Sequence, residues 1–554
     1  MSAALRQSNP EDHRCSPIKI GHTGMIREAL TRNISRDTAA RLGYLLTRVL
    51  IPPFVLSHLG LGTYSIWSAM FILISYVGVT TMGVSAVYIK YTAEFGARGE
   101  TEQTNSLLST GLFVTGAVCL ILYGAFWIEL NSILIWLRIP THLLIEAHTA
   151  ALMVMGIFLC GLVLSIFELA LVGSHKIAET QGVWVLCYVA ELGLILYLVG
   201  TGHGLIGLAE AFLVRQTLSI TLNAVLAFRM LPWLRIAPWR FSLDSLRKLT
   251  GFGGVVQLSA LLSIALSTIE RVIAAPLVGL SAIGIMDLSD KWPTMSSLIT
   301  DAFPTSFLPA ASHLKSGGAE TPFGNSQVVV QLYLRGARYM CLVSSSICAL
   351  MATTSASLLT VWLGTNHPAS AYLMTIFAVQ QTVHQMTAPG TSIFKGIGRP
   401  KEEFYYIVPN ILFTITVVPL SRLVLGHWSL MGLGSSVVIA TVASAVVFIV
   451  HANKILGVSS RRYLGTVVAP GLVPYLIGMS VAFPAWRLTE QVTRWHALAV
   501  MASISVVYTL ALAIAVDHLV LESDERSWFR SVIRSESSRM LGAIGFGESD
   551  ERTA

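Results

Sequence analysis

Charge is what this sequence has least of. Only 12% of its 554 residues are Asp, Glu, Lys or Arg, about half the share found in soluble domains. That deficit excludes an ordinary water-soluble fold. The net charge of +7 is not gathered into a basic patch interleaved with aromatics, so nucleic acid is excluded as a partner. Cysteine is sparse too: Cys15, Cys119, Cys160, Cys187, Cys341 and Cys348 are scattered, with no CxxC and no metal-ligand spacing. They read as small core residues, and no metal is expected. A GxxxxGK[ST] loop, an HExxH helix, a GxSxG elbow and an acidic cluster on a loop are all missing. ATP hydrolysis and the common hydrolytic chemistries therefore have no residues to carry them, and no enzyme, catalytic residue or cofactor is expected. Residues 1–30 are polar, so no cleavable signal peptide is expected.

Long apolar runs are what the chain has in abundance, with 54% of its residues hydrophobic. They lie near 37–58, 64–90, 106–129, 147–173, 180–200, 204–228, 250–276, 281–310, 331–362, 370–394, 402–424, 428–451, 464–486 and 495–520. Continuous runs of about 20 residues predict helices rather than the alternating strands of a barrel, so the fold class is an all-α integral membrane protein with about 14 transmembrane helices. Basic residues obey the positive-inside rule under this count. One set of loops holds Arg27, Arg32, Arg36, Lys90, Arg98 and Lys176, then Arg229, Arg235, Arg240, Arg247, Lys248 and those that follow. The opposite loops hold only Arg138, Arg422, Arg487 and Arg494. Both termini are accordingly expected in the cytoplasm. The loops are too short for a soluble domain, which counts against a membrane glycosyltransferase or ligase.

Arg48-Val-Leu-Ile-Pro-Pro-Phe-Val55 resembles Arg271-Val-Ile-Ala-Ala-Pro-Leu-Val278, and each opens a set of six runs in the same direction. The expected organisation is therefore a tail over 1–30, an N-lobe over 31–229, a cytoplasmic linker over 230–248 and a C-lobe over 249–452. Two extra helices over 453–520 and a tail over 521–554 complete it. The two six-helix lobes are expected to be parallel, pseudo-symmetric repeats.

Charges inside apolar runs are the functional clue. Asp287, Asp290, Thr294, Ser297 and Asp301 recur at spacings of three and four, a polar stripe on one helix face. Ionisable residues at such depth cost several kcal/mol unless they meet a partner or water, so a hydrated pathway is expected. Arg41, Arg48, Arg271 and Lys291 are candidates for a cationic, substrate-binding cavity between the lobes, since guanidinium offers phosphate a planar fork of donors. For Arg41 and Arg48 a second reading stands beside it, in which they lie at the headgroup level or snorkel there. Glu270, Asp287, Asp290 and Asp301 either pair with cations or bind the proton or cation that drives transport. Within that reading, Glu270 neutralises Arg271 or reaches another helix, and Asp290 pairs with its neighbour Lys291. Glu191, Glu210 and Arg215 are expected to pair structurally, and His384 is either a proton relay or a satisfied hydrogen-bonding group.

Several stretches resemble the polysaccharide flippases of the multidrug/oligosaccharidyl-lipid/polysaccharide superfamily, the repeat-unit translocases of O-antigen and exopolysaccharide synthesis. They are Leu59-Gly-Leu-Gly-Thr-Tyr-Ser-Ile-Trp67, Met82 to Glu94, Thr268 to Gly279 and the turn Lys395-Gly-Ile-Gly-Arg-Pro-Lys401. Two positions depart from the family pattern: its aspartate-leucine-glycine reads Thr81-Met-Gly83 here, and its aspartate before the seventh-helix arginine is Glu270. The resemblance implies alternating access between two lobes, and a lipid-pyrophosphate-linked oligosaccharide as cargo moving from the cytoplasmic to the outer leaflet. It implies the inner membrane of a bacterium, the lipid bilayer as environment, and a polysaccharide polymerase with chain-length and export machinery as partners. A proton or sodium gradient would supply the energy. Two relatives offer alternative readings, a lipid II flippase and a cation-coupled multidrug exporter.

Overall fold

The computed structural model describes residues 21–174, 176–250, 270–300, 326–397, 399–485, 493–520 and 526. Among these, the apolar runs are helical and no strand occurs. Hydrocarbon offers no partner to a backbone N–H or C=O, and the helix satisfies both within one segment. Nine helices among the described residues are long and apolar enough to cross a membrane. They become ten if Gln327–Thr353 and Ser355–Leu363, bent by 69°, count as one span. The runs at 250–276 and 281–310 fall partly outside the described residues.

The main helices are α1 (Gly21–Arg98), α2 (Thr101–Trp136), α3 (Leu144–Leu164), α4 (Ile166–Gly173), α5 (Ile177–Gly200) and α6 (Gly204–Met230). After a helical stretch at 270–277 come α7 (Leu280–Met295), α8 (Ser326–Thr353), α9 (Ser355–Leu363), α10 (Pro368–Gln385) and α11 (Ala388–Gly396). The last four are α12 (Phe404–Leu425), α13 (Leu430–Leu456), α14 (Ala469–Ala485) and α15 (Arg494–Ala515). Helix α1 holds two of the runs read from the sequence, because Gly60 (φ 75°, ψ 173°) breaks it. Gly279 (φ 137°, ψ 165°) makes the corresponding break before α7. Each break follows one copy of the repeated octapeptide, and a positive φ is open to glycine without steric cost.

The chain forms two compact units, one of Met1–Ile51, Val77–Ile128 and Thr149–Leu258, the other of Pro52–Tyr76, Glu129–His148 and Ser259–Ala554. Residues 52–76 and 129–148, assigned from the sequence to the first lobe, thus pack within the second unit.

In the first unit Val87, Leu107, Leu108, Ile166, Leu171 and Ala227 form the core. Helices α5 and α6 share a buried ion pair, Arg215 Nε to Glu191 Oε1 at 3.1 Å, close in distance but not aligned as a hydrogen bond. The guanidinium also covers the rings of Phe212 and Tyr188, at 4.7 and 5.0 Å. Glu191 and Arg215 are paired as expected.

The segment after α6 is held down rather than left as a loose tether. Asn105 on α2 donates through Nδ2 to Trp233 O and accepts from Arg235 N through Oδ1, both at 2.8 Å. Ser106 donates to Arg240 O, while Ser109 and Thr110 accept from Ala237 N and Ser242 N. Glu102 pairs with Arg240. One polar edge of α2 therefore supplies partners to backbone that would otherwise lack them. Asn105→Ala removes two of these partners at once. It is expected to cost about 2–3 kcal/mol, each lost bond being worth about 1 with an added penalty for a stranded group. Hydrogen exchange should show the loss locally, as faster exchange at the amides of 233–237.

The second unit is built around Tyr333, Phe394, Tyr406, Phe448 and Tyr463, with Tyr333 stacked on Tyr463 at 5.7 Å. The two C-terminal helices dock on α8 and α10. Tyr508 donates to Ser346 O at 2.9 Å and Tyr475 to Ala378 O at 3.1 Å. Asn410 donates to Ser444 at 3.0 Å and Gln380 to Thr441 at 3.2 Å, so polar groups buried among α10, α12 and α13 satisfy one another.

Candidate functional site

The helical stretch at 270–277 and α7 form a tight hairpin at Gly279, which brings Arg271 against the polar stripe of α7. Arg271 Nη1 donates to Asp287 Oδ1 at 3.2 Å, and Nη2 donates to Asp290 Oδ2. Lys291 Nζ donates to Asp287 Oδ2 at 2.8 Å, and Thr294 Oγ1 to Asp290 Oδ2 at 2.9 Å. Tyr64, 223 residues earlier in the chain, donates its hydroxyl to the same Asp287 Oδ2. The spacing explains the set. Positions 287, 290, 291 and 294 lie three or four apart, so they share one face, while Arg271 reaches them from the antiparallel neighbour.

Tyr64 arrives because α7 lets the segment after the Gly60 break come close. A β-carbon at Gly284 would lie 2.3 Å from Ser65 Oγ and 3.2 Å from Leu61 Cδ1, so glycine lets the two segments meet here without a side-chain shift. The residue before Ser65 is then placed over Asp287.

The electrostatics of the cluster are balanced. Arg271 and Lys291 carry two positive charges, Asp287 and Asp290 two negative ones. Their side chains are largely buried, with Asp290 the most open at 25% of its area. Reciprocal pairing is what allows four ionised groups to sit in an apolar run. The site therefore holds its two cations already neutralised by carboxylates. One guanidinium donor, Arg271 Nε, is buried without an acceptor among the described residues.

One expected pairing differs: Lys291 binds Asp287 rather than Asp290, while Arg271 donates to Asp287 and Asp290. Sequence neighbours point about 100° apart on a helix, whereas residues four apart lie on one face. Glu270 is buried. The Tyr406 hydroxyl of α12 meets His384 Nδ1 at 2.8 Å, so His384 is a satisfied hydrogen-bonding group.

Among the candidate residues, Arg271, Lys291, Asp287 and Asp290 are brought together. Arg48 belongs to the first unit. The side chain of Arg41 and the whole of Asp301 lie outside the described residues. Tyr64 was missed by the sequence reading; a phenol in an apolar run signals a partner but does not name it. Among the described residues no group of three or more His, Cys, Asp or Glu is arranged to hold a metal ion.

A family model described as "Polysaccharide biosynthesis protein" matches residues 176–371, a span that includes Arg271, Asp287, Asp290 and Lys291. The uncharacterized membrane protein EpsK of Bacillus subtilis (strain 168) is 20% identical over 471 residues, covering 83% of this chain and 89% of its own. The structure of the lipid II flippase MurJ in an inward closed conformation superposes with a TM-score of 0.65 at 11% identity, covering 88% of this chain and 99% of that one. An inward-facing multidrug resistance transporter of the MATE family gives 0.63 at 14% identity, covering 74% of this chain and 94% of that one. These solved structures are of transporters, not of enzymes. The chain is thus a multi-pass membrane protein, similar over residues 176–371 to the polysaccharide-biosynthesis family model and sharing the fold of these solved transporters.

Proposed function

We propose that the protein flips lipid-pyrophosphate-linked oligosaccharide repeat units from the cytoplasmic to the outer leaflet of a bacterial inner membrane. The observation that carries this reading is Arg271, a guanidinium held between Asp287 and Asp290 within the span that the polysaccharide-biosynthesis family model matches. A sugar pyrophosphate cannot enter hydrocarbon without partners for its charge and hydroxyls. Arg271 and Lys291 supply the charge, the former with a fork that fits phosphate oxygens.

Exchange is the mechanism this network favours. As phosphate oxygens take Arg271 and Lys291, Asp287 and Asp290 lose their counter-charges and must take up protons or a cation. Substrate binding and ion uptake are then linked reciprocally, which gives a gradient of protons or sodium a means to drive release.

A second reading, lipid II as cargo, is favoured by the fold match that covers 99% of MurJ. Reconstituted protein separates the two. A fluorescent undecaprenyl-pyrophosphate oligosaccharide and a fluorescent lipid II are placed in proteoliposomes, and a membrane-impermeant reductant reports the fraction in the outer leaflet. The oligosaccharide is expected to cross well above the rate in empty vesicles, with lipid II at that background. Transport of lipid II alone would move the assignment to the second reading. Transport of neither, with export of an organic cation, would end both.

A further inference from the structure

From Phe228 to Thr250, exposed basic and exposed apolar side chains are interleaved on backbone that α2 holds fixed. Trp239 is 84% exposed, Leu243 70% and Phe241 46%. Arg229, Arg235 and Arg247 are exposed and have no ion-pair partner among the described residues. Their neighbours differ: Arg240 is taken by Glu102 and Lys248 by Asp244. The Lys248 bond holds the Asp244 carboxyl below the usual carboxylate range.

The clamp gives this pattern its meaning. Asn105, Ser106, Ser109 and Thr110 bind the backbone at Trp233, Arg235, Ala237, Arg240 and Ser242, so the segment has no freedom to turn its apolar side chains inward. It also starts in the last turn of α6, a helix long and apolar enough to span a membrane. The surface therefore lies at the depth where a bilayer ends, on the side that the positive-inside rule makes cytoplasmic. Trp and Phe settle at that depth because their rings bridge apolar and polar layers. Guanidinium groups without acidic partners meet phosphodiesters there.

We propose that residues 228–250 form a binding surface for anionic phospholipid of the cytoplasmic leaflet. Trp239, Phe241 and Leu243 sit in the glycerol and upper acyl layer, and Arg229, Arg235 and Arg247 hold the headgroup phosphates. This surface belongs to the first unit alone and is independent of the transport site proposed above.

The test uses the full-length protein. Purified protein is equilibrated with equal amounts of phosphatidylglycerol and phosphatidylethanolamine, and the lipids that stay bound are counted by native mass spectrometry. Wild type should retain phosphatidylglycerol preferentially. The triple variant Arg229→Gln, Arg235→Gln, Arg247→Gln should lose that preference by on the order of tenfold or more, since each basic residue near an anionic surface is worth about fivefold. The matching triple to lysine, which keeps the charge, should hold most of it. In vesicles, lipid brominated near the glycerol should quench the emission assigned to Trp239 by difference from Trp239→Phe. An unchanged preference in the glutamine triple, or its equal loss in the lysine triple, overturns the proposal. So does an unquenched Trp239, which would leave the surface in water and open to a protein partner.

Discussion

Arg271→Ala is expected to abolish transport and to destabilise the protein by about 3–5 kcal/mol, the cost of stranding buried charge when one partner of a pair is removed. The size follows from the geometry. One guanidinium serves Asp287 and Asp290 together, and only Lys291 would remain for two carboxylates. The two losses have different origins and can be separated. In Arg271→Gln with Asp290→Asn one charge of each sign is gone, while Asp287 keeps Lys291 and Tyr64. Most of the stability should return, because exchanging a buried ion pair for neutral groups of similar volume is often close to neutral. Transport should stay lost, since no fork remains for the phosphate. Denaturant unfolding measures the first quantity and flipping in proteoliposomes the second.

The other large effect lies in the first unit. Glu191→Leu is expected to cost about 3–5 kcal/mol, since it leaves the Arg215 guanidinium buried with only aromatic faces for company. Thermal unfolding of Glu191→Leu beside wild type measures the loss, and an unchanged midpoint would show that the pair adds nothing to the fold.

How much of this was legible in the sequence depends on how local the cause is. The all-α membrane class follows from apolar runs that need no partner to be recognised. The stripe of Asp287, Asp290 and Thr294 was visible because a helix converts spacings of three and four into one face. Arg271 stood out as a base in an apolar run. Pairing was less legible even at short range: adjacency in sequence suggested Lys291 with Asp290, and the helix turned it to Asp287. Two features had no local signature. Tyr64 reaches Asp287 where Gly284 lets the two segments close to contact, and neither residue carries that information alone. Asn105, Ser106, Ser109 and Thr110 read as the polar start of a helix, and their role emerges only with the segment from 231 to 242 lying across them.

The most direct measurement is the flipping rate of a lipid-pyrophosphate oligosaccharide by the Arg271→Gln, Asp290→Asn protein, in vesicles where its folded fraction matches that of wild type. A rate equal to that of empty vesicles is the predicted result, since the fold is kept and the phosphate-binding fork is gone. A rate equal to that of wild type would show that the guanidinium between the two aspartates serves the fold alone.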